Sequence, residues 1–397
     1  MKLLEFKQFN NSEELRSLNK KKVIFVAIIG VLVLIGIIIG IIYKNNQNFR
    51  DFMDQYLFFK HIKDSDLPSI IIEDNKTVYT YAYNNYVVII DNNKLKLYNS
   101  SGKQVESFDV NISSPIFAAQ DNFLVVAEKG QRKVYLFKDK KKVWEKDIEG
   151  QISRVNVNEN GYVSICISGT SYKSVIATYS ENGKEVFKTF LSNTVVIDTD
   201  ISKDNKYLGF CEVDLSGTVI ESKVKIISID KAKQDPANSI IYTYEIPANS
   251  LVTNIEFQNK DEIICLCDKE VFSLKNGSVN KLAEINANDV TFSGIKLSKS
   301  YFKITEDKFG INNQTSKLEI FNTSNKRKSE YLIKGIAKDV YVQNGVIAVN
   351  LGTEAYFVNE NGSLIKKLTS SQEIKRIVVS NNIAGIIYRD KIEFLGL

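Results

Sequence analysis

The 397-residue sequence predicts an all-β fold, a β-propeller of eight four-stranded blades, set behind one N-terminal transmembrane helix. Three observations carry that reading. An apolar run free of charge lies near the N-terminus, the hydrophobic period switches from helical to two at Ser69, and a repeat of 36 to 56 residues then continues to Leu397.

The apolar run, VIFVAIIGVLVLIGIIIGIIY, covers the 21 residues from Val23 to Tyr43 without a charged or strongly polar side chain. At about 1.5 Å of rise per residue it matches the roughly 30 Å hydrocarbon core of a bilayer. A cleaved signal peptide carries a shorter apolar core, about 7–15 residues, followed by a small-x-small site. The flank Tyr43-Lys44-Asn45-Asn46-Gln47 offers no such site. Lys20, Lys21 and Lys22 abut the run, with Arg16 and Lys7 behind them, against the dispersed Lys44, Arg50 and Lys60 on the far side. Cations stay on the cytoplasmic side, so these three lysines are the topology-setting residues. The expected arrangement is a single pass of the cell membrane, N-terminus cytoplasmic and C-terminal domain extracytoplasmic. Gly36 and Gly40 share a helix face as a Gly-x-x-x-Gly pair, a contact through which two such helices could form a homodimer.

Residues 1–22, the expected cytoplasmic tail, are too few to fold alone, so any chemistry belongs after Tyr43. Beyond the tail the chain holds 46 Lys/Arg against 44 Asp/Glu, a balance that argues against nucleic acid as a partner. The partners expected are the membrane and a protein or polymer of the cell envelope. Residues 44–68 are expected to form a juxtamembrane helix and linker, because Phe49, Phe52, Met53, Tyr56 and Phe59 recur at helical spacing before Pro68.

From residue 69 to 397 the chain becomes short runs of Val, Ile, Tyr and Phe between Asn-Gly, Ser-Gly and Asp-Lys punctuation. The clearest repeating element is a strand ending in an aromatic or aliphatic residue, a polar turn, then a second strand. It reads LKLYNSSGKQVESF at Leu95, VYLFKDKKKVWEKD at Val134, IATYSENGKEVFKT at Ile176, VFSLKNGSVNKLAE at Val271, LEIFNTSNKRKSEYL at Leu318 and AYFVNENGSLIKKL at Ala355, with a longer-looped copy at Val224. A further pair of short runs precedes each copy, as in VNVNENGYVSICI, so each unit holds four strands. The units are expected to start near Thr77, Pro115, Ile152, Val195, Leu251, Asp289, Ala337 and Glu373. The last supplies only three strands, and the spare strand Ser69–Asp74 is expected to complete it and close the ring. Seven blades are the alternative count, and a β-sandwich pair or solenoid the alternative fold.

The outer-pair pattern, with its closest copies VYLFKDKKKVWEKD and IATYSENGKEVFKT, resembles the repeats of quinoprotein-like and WD40-like propellers. Quinoprotein repeats place a tryptophan in nearly every blade, whereas this chain has only Trp144, and the ligands of quinone-dependent dehydrogenases are not identifiable. The whole layout also resembles an uncharacterised clostridial family of single-pass, membrane-anchored propellers known only as a domain of unknown function. That resemblance implies the fold and no activity.

No catalytic residue, cofactor site or metal site is assigned. His61 is the sole histidine and lies in the juxtamembrane segment, away from any nucleophile in the ring. Cys166, Cys211, Cys265 and Cys267 each sit in an apolar run, which favours buried free thiols over a disulfide or a metal site. The Cys265-x-Cys267 spacing places both sulfurs on one face of a strand. Asp198, Asp200 and Asp204 lack calcium-loop spacing and read as a polar loop. Tyr79, Tyr81 and Tyr83 share a strand face with Tyr86 beyond the turn, a stripe that fills a blade interface or stacks a sugar. The function expected is a non-enzymatic interaction scaffold. The alternative, a carboxylate-dependent glycan hydrolase or lyase, requires acids that converge in the central funnel.

Overall fold

The computed structural model describes residues 20–397 apart from 74–76, 249, 260, 286–289, 298 and 308–313. The chain divides into a helical unit ending at Phe59 and a second unit from Lys60 to Leu397.

In the first unit, α1 (Lys20–Asn45) is long and apolar enough to cross a membrane, and its described apolar side chains are exposed all round. Residues 1–19 lie outside the described residues, as do the side chains of Lys20, Lys21 and Lys22 at the head of α1. A Cβ at Gly36 or Gly40 would meet nothing within 4 Å, so both positions are open on the helix surface. The amphipathic α2 (Gln47–Tyr56) follows at once, its N-terminus capped by Asn46, whose side-chain oxygen accepts from the Phe49 N–H at 3.0 Å. The Tyr43 hydroxyl donates to the fully buried Asp54 carboxylate at 2.6 Å and fastens α2 to the end of α1.

The second unit is an eight-bladed propeller. Among the described residues the blades span 79–109, 115–147, 151–191, 195–245, 252–284, 290–334, 339–369 and 376–396. The first strand of each blade touches the first strand of the next, all the way round to Arg376–Val379 against Tyr79–Tyr83. Blade 8 is completed by Ser69–Ile71, which lies antiparallel on Lys391–Gly396 with Ile70 opposite Ile392. That pairing joins the two ends of the ring, as the spare-strand reading requires. A further strand, His61–Lys63, was not anticipated: it lies parallel on Leu364–Thr369 as a fifth strand of blade 7, where the sequence reading placed linker.

The repeat has a local cause. Asn99 accepts from the N–H groups of Ser101 and Lys103 at 3.1 and 3.0 Å, and Asn322 from Ser324 and Lys326 at 3.0 and 2.9 Å. Asn359 does the same with Asn361 and Ser363, both at 3.0 Å. Each turn then needs a positive φ three residues after the asparagine, at Gly102, Asn325 and Gly362. The asparagine and the glycine of the repeat are thus two halves of one turn device.

Packing is between blades. The described residues form eight apolar clusters, one at each of the eight blade interfaces, such as Trp144, Val155 and Tyr179 between blades 2 and 3. The second strands, such as Val163–Ser168 and Glu262–Cys267, are buried on both faces and therefore read as unbroken apolar runs. All four cysteines are free and buried, and the Cys265 and Cys267 sulfurs lie 3.8 Å apart on one strand face.

Candidate functional site

The first strand of each blade has a free edge, whose backbone N–H and C=O groups find no partner within the blade. From blade 3 to blade 5, side chains of one blade satisfy the edge of the next. Asn156 and Asn158 of blade 3 donate to the carbonyls of Thr199 and Ser202 at 2.8 and 3.1 Å. Asp198 and Asp200 of blade 4 accept from the N–H groups of Ile255 and Phe257 in blade 5 at 3.0 and 2.7 Å. Arg154 donates to the other Asp198 oxygen at 2.7 Å, so that carboxylate ties three blades together. Gln343 of blade 7 reaches past blade 8 and donates to the Ala82 carbonyl of blade 1 at 2.8 Å.

This corrects the reading of Asp198 and Asp200 as a polar loop. Both lie within the first strand of blade 4, Val195–Ile201, and only Asp204 sits in the turn beyond it. Two residues apart in a strand, they share a face, and that face meets the neighbouring edge.

Beyond blade 5 the ladder stops. One carboxylate oxygen of Glu256 and the carbonyl oxygen of the buried Gln258 have no hydrogen-bond partner among the described residues. Burial pushes the Asp200 carboxyl up to about 8, and the nearby Glu256 and Asp198 charges add to the rise while the Phe257 N–H opposes it. Burial likewise raises Glu256 to about 7, against the opposing pull of Lys296 and Lys203. The acids required by the carboxylate alternative therefore do converge.

A raised carboxyl binds its proton more tightly in the folded chain than in the unfolded one, where it titrates near 4. Stability from Asp200 is thus complete below about pH 4 and is lost as pH rises toward 8. Asp200→Asn keeps an oxygen for the Phe257 N–H and removes the charge. Urea titrations followed by Trp144 fluorescence are expected to match wild type at about pH 3.5. At pH 8.5 the variant should be more stable by roughly 2 kcal/mol, because the clustered acids share the penalty of ionising.

The other sequence-marked residues separate. Tyr81 stacks on Phe117 with ring centroids 5.0 Å apart and meets the edge of Tyr341 at 6.4 Å. Tyr83 is fully buried and donates its hydroxyl to the Asp139 carbonyl. These tyrosines fill space between blades. His61 sits on the outermost edge of blade 7, opposite Lys367. Among the described residues no group of three or more His, Cys, Asp or Glu side chains is placed to hold a metal.

Among the described residues three recesses stand out. One of about 200 Å³ is lined by Asn254, Phe292, Lys296 and Val342 on first strands, and one of about 270 Å³ by Glu212, Lys223 and Lys225 on blade 4. The third and largest of these, about 650 Å³, runs between the Asn84-Asn85-Tyr86 turn of blade 1 and Lys138–Val143 of blade 2. Sequence reading missed this groove. The lysine run was visible in the blade 2 repeat, but the turn facing it lies 55 residues away at Asn84.

Among solved structures the chain is similar to BamB from Moraxella catarrhalis, with 9% identity, 83% of this chain and 97% of that one covered, and a TM-score of 0.49. It is also similar to apo AztD from Citrobacter koseri, with 10% identity, 78% and 90% coverage and a TM-score of 0.48. Hsv2 from Kluyveromyces lactis matches with 9% identity, 74% and 97% coverage and a TM-score of 0.45. No curated protein matches the sequence. Residues 63–397 match a family of unknown function (DUF5711), and the chain belongs to that family.

Proposed function

We propose that this chain is a membrane-tethered, non-enzymatic interaction scaffold. In this reading α1 crosses the cytoplasmic membrane once, with Lys20, Lys21 and Lys22 inside and the propeller outside, where the ring binds a protein or polymer of the envelope. One observation carries it: two of the three convergent acids are already employed in holding the ring. Asp198 is committed to Arg154 and the Ile255 N–H, and Asp200 to the Phe257 N–H. None of the three recesses is lined by Asp198, Asp200 or Glu256. A rigid ring with loops on two faces suits presentation rather than chemistry. Close contact of two helices at Gly36 and Gly40 would make the scaffold a homodimer.

The glycan-hydrolase alternative draws on the raised carboxyls of Asp200 and Glu256, since a general acid must hold its proton near neutral pH. In-cell crosslinking of the full chain, followed by denaturing purification, separates the two. The scaffold reading expects the same envelope component from wild type and from D200N/E256Q. Recovery of nothing from either contradicts it. Build-up of uncleaved envelope glycan with D200N/E256Q, at wild-type levels of folded protein, selects the hydrolase.

A further inference from the structure

The groove between blades 1 and 2 is built from two turns locked face to face. Asn84 donates its amide to the Asp139 carboxylate at 2.9 Å, and the Tyr83 hydroxyl donates to the Asp139 carbonyl. Asn84 and Asp139 both take positive φ, so each turn is held in one tight conformation. The sequence across the groove is Lys138-Asp139-Lys140-Lys141-Lys142-Val143-Trp144-Glu145-Lys146, five lysines against two carboxylates. Glu145 offsets Lys142 and Lys133, and Asp139 keeps its charge in the groove because its partner there, Asn84, is a neutral amide. Among the described residues no ion pair forms at Lys138, Lys140 or Lys141.

Elsewhere on the ring some lysines are paired, as at Lys225 with Glu212, Lys317 with Glu319 and Lys367 with Glu354, and others stand singly; here three without an ion pair fall within four residues. Three ammonium groups against the one Asp139 carboxylate leave the hairpin tip with a net positive charge, and a bound anion lowers their mutual repulsion. Aromatic rings hold two of the lysine stems in place. Lys138 Nζ lies 4.9 Å from the Phe123 ring centroid and Lys140 Nζ 5.9 Å from that of Tyr86.

We propose that this groove binds a polymer bearing repeated phosphate groups, with Lys138, Lys140 and Lys141 on the phosphates and Tyr86 and the exposed Val143 against the uncharged links between them. The placement of such a polymer outside the cytoplasm rests on the scaffold reading; binding itself does not. Lysine presents a compact point charge with three donors and is a common binder of phosphate oxygens. The groove has room for more than one such group.

The test uses the purified full chain in detergent and inorganic polyphosphate as the probe. Wild type is expected to bind, with affinity falling as salt rises. K138Q/K140Q/K141Q should lose about tenfold or more, whereas K326Q/K328Q/K366Q, with the same charge removed elsewhere, should change less than about twofold. Polyglutamate of equal charge should bind more weakly than polyphosphate. Glycerophosphoglycerol at the same phosphate concentration should not compete. Equal binding by the groove triple variant and wild type overturns the proposal. So does equal affinity for polyglutamate, which describes a general polyanion surface, or competition by glycerophosphoglycerol, which describes a lipid headgroup site. Any of these results leaves the scaffold reading intact, because crosslinking tests that separately.

Discussion

Alanine at Asp198 is expected to lower the unfolding free energy of the ring by about 3 kcal/mol, several times what a surface ion pair contributes. The side chain is 7% exposed and serves partners on both sides. One oxygen takes the Arg154 guanidinium and the other the Ile255 N–H on the free edge of blade 5. Truncation leaves a buried N–H unsatisfied, strips a cation of its partner and opens a small void at the junction of three blades. Arg154 is half-exposed and regains water, which keeps the loss toward the lower end of the range for a broken buried pair. Asp198→Asn retains an oxygen for Ile255 and should cost about 1 kcal/mol. Urea denaturation read by the single Trp144, itself 9% exposed between blades 2 and 3, measures both. Equal losses for the two variants would mean that charge alone matters and that the edge contact contributes nothing.

The same carboxylate shows how far the sequence can be read. Blade starts expected at Pro115 and Val195 coincide with strand starts, and those expected at Thr77 and Leu251 fall within two residues of Tyr79 and Val252. They were legible because the signals are local: period two, then a turn whose Asn accepts from N–H groups two and four residues on. Ring closure was legible because three strands cannot finish a four-stranded blade. Asp198 and Asp200 were misread because their partners lie 57 residues away on another blade's edge. Their alternation with Thr199 resembles polar turn chemistry until that edge is in place. The strand His61–Lys63 was missed because three residues carry no period, and parallel pairing leaves no turn to mark it. The groove needed two blades to exist. A charged run in a hairpin reads as a solvated surface until the turn of blade 1 closes over it.

The side of the membrane on which the ring sits has an all-or-none readout. Cys166, Cys211, Cys265 and Cys267 are at most 2% exposed, so the native chain offers no thiol to a surface reagent. Ser101 is exposed in the outer turn of blade 1, and its side chain makes no contact that the turn depends on, since Asn99 holds it through the backbone. Ser101→Cys therefore reports the propeller, and Ser12→Cys reports the segment ahead of α1. A membrane-impermeant maleimide applied to intact cells is predicted to label Ser101→Cys fully and Ser12→Cys only after lysis. Labelling of Ser101→Cys only after lysis would place the propeller inside the cell and contradict the account of an extracytoplasmic scaffold.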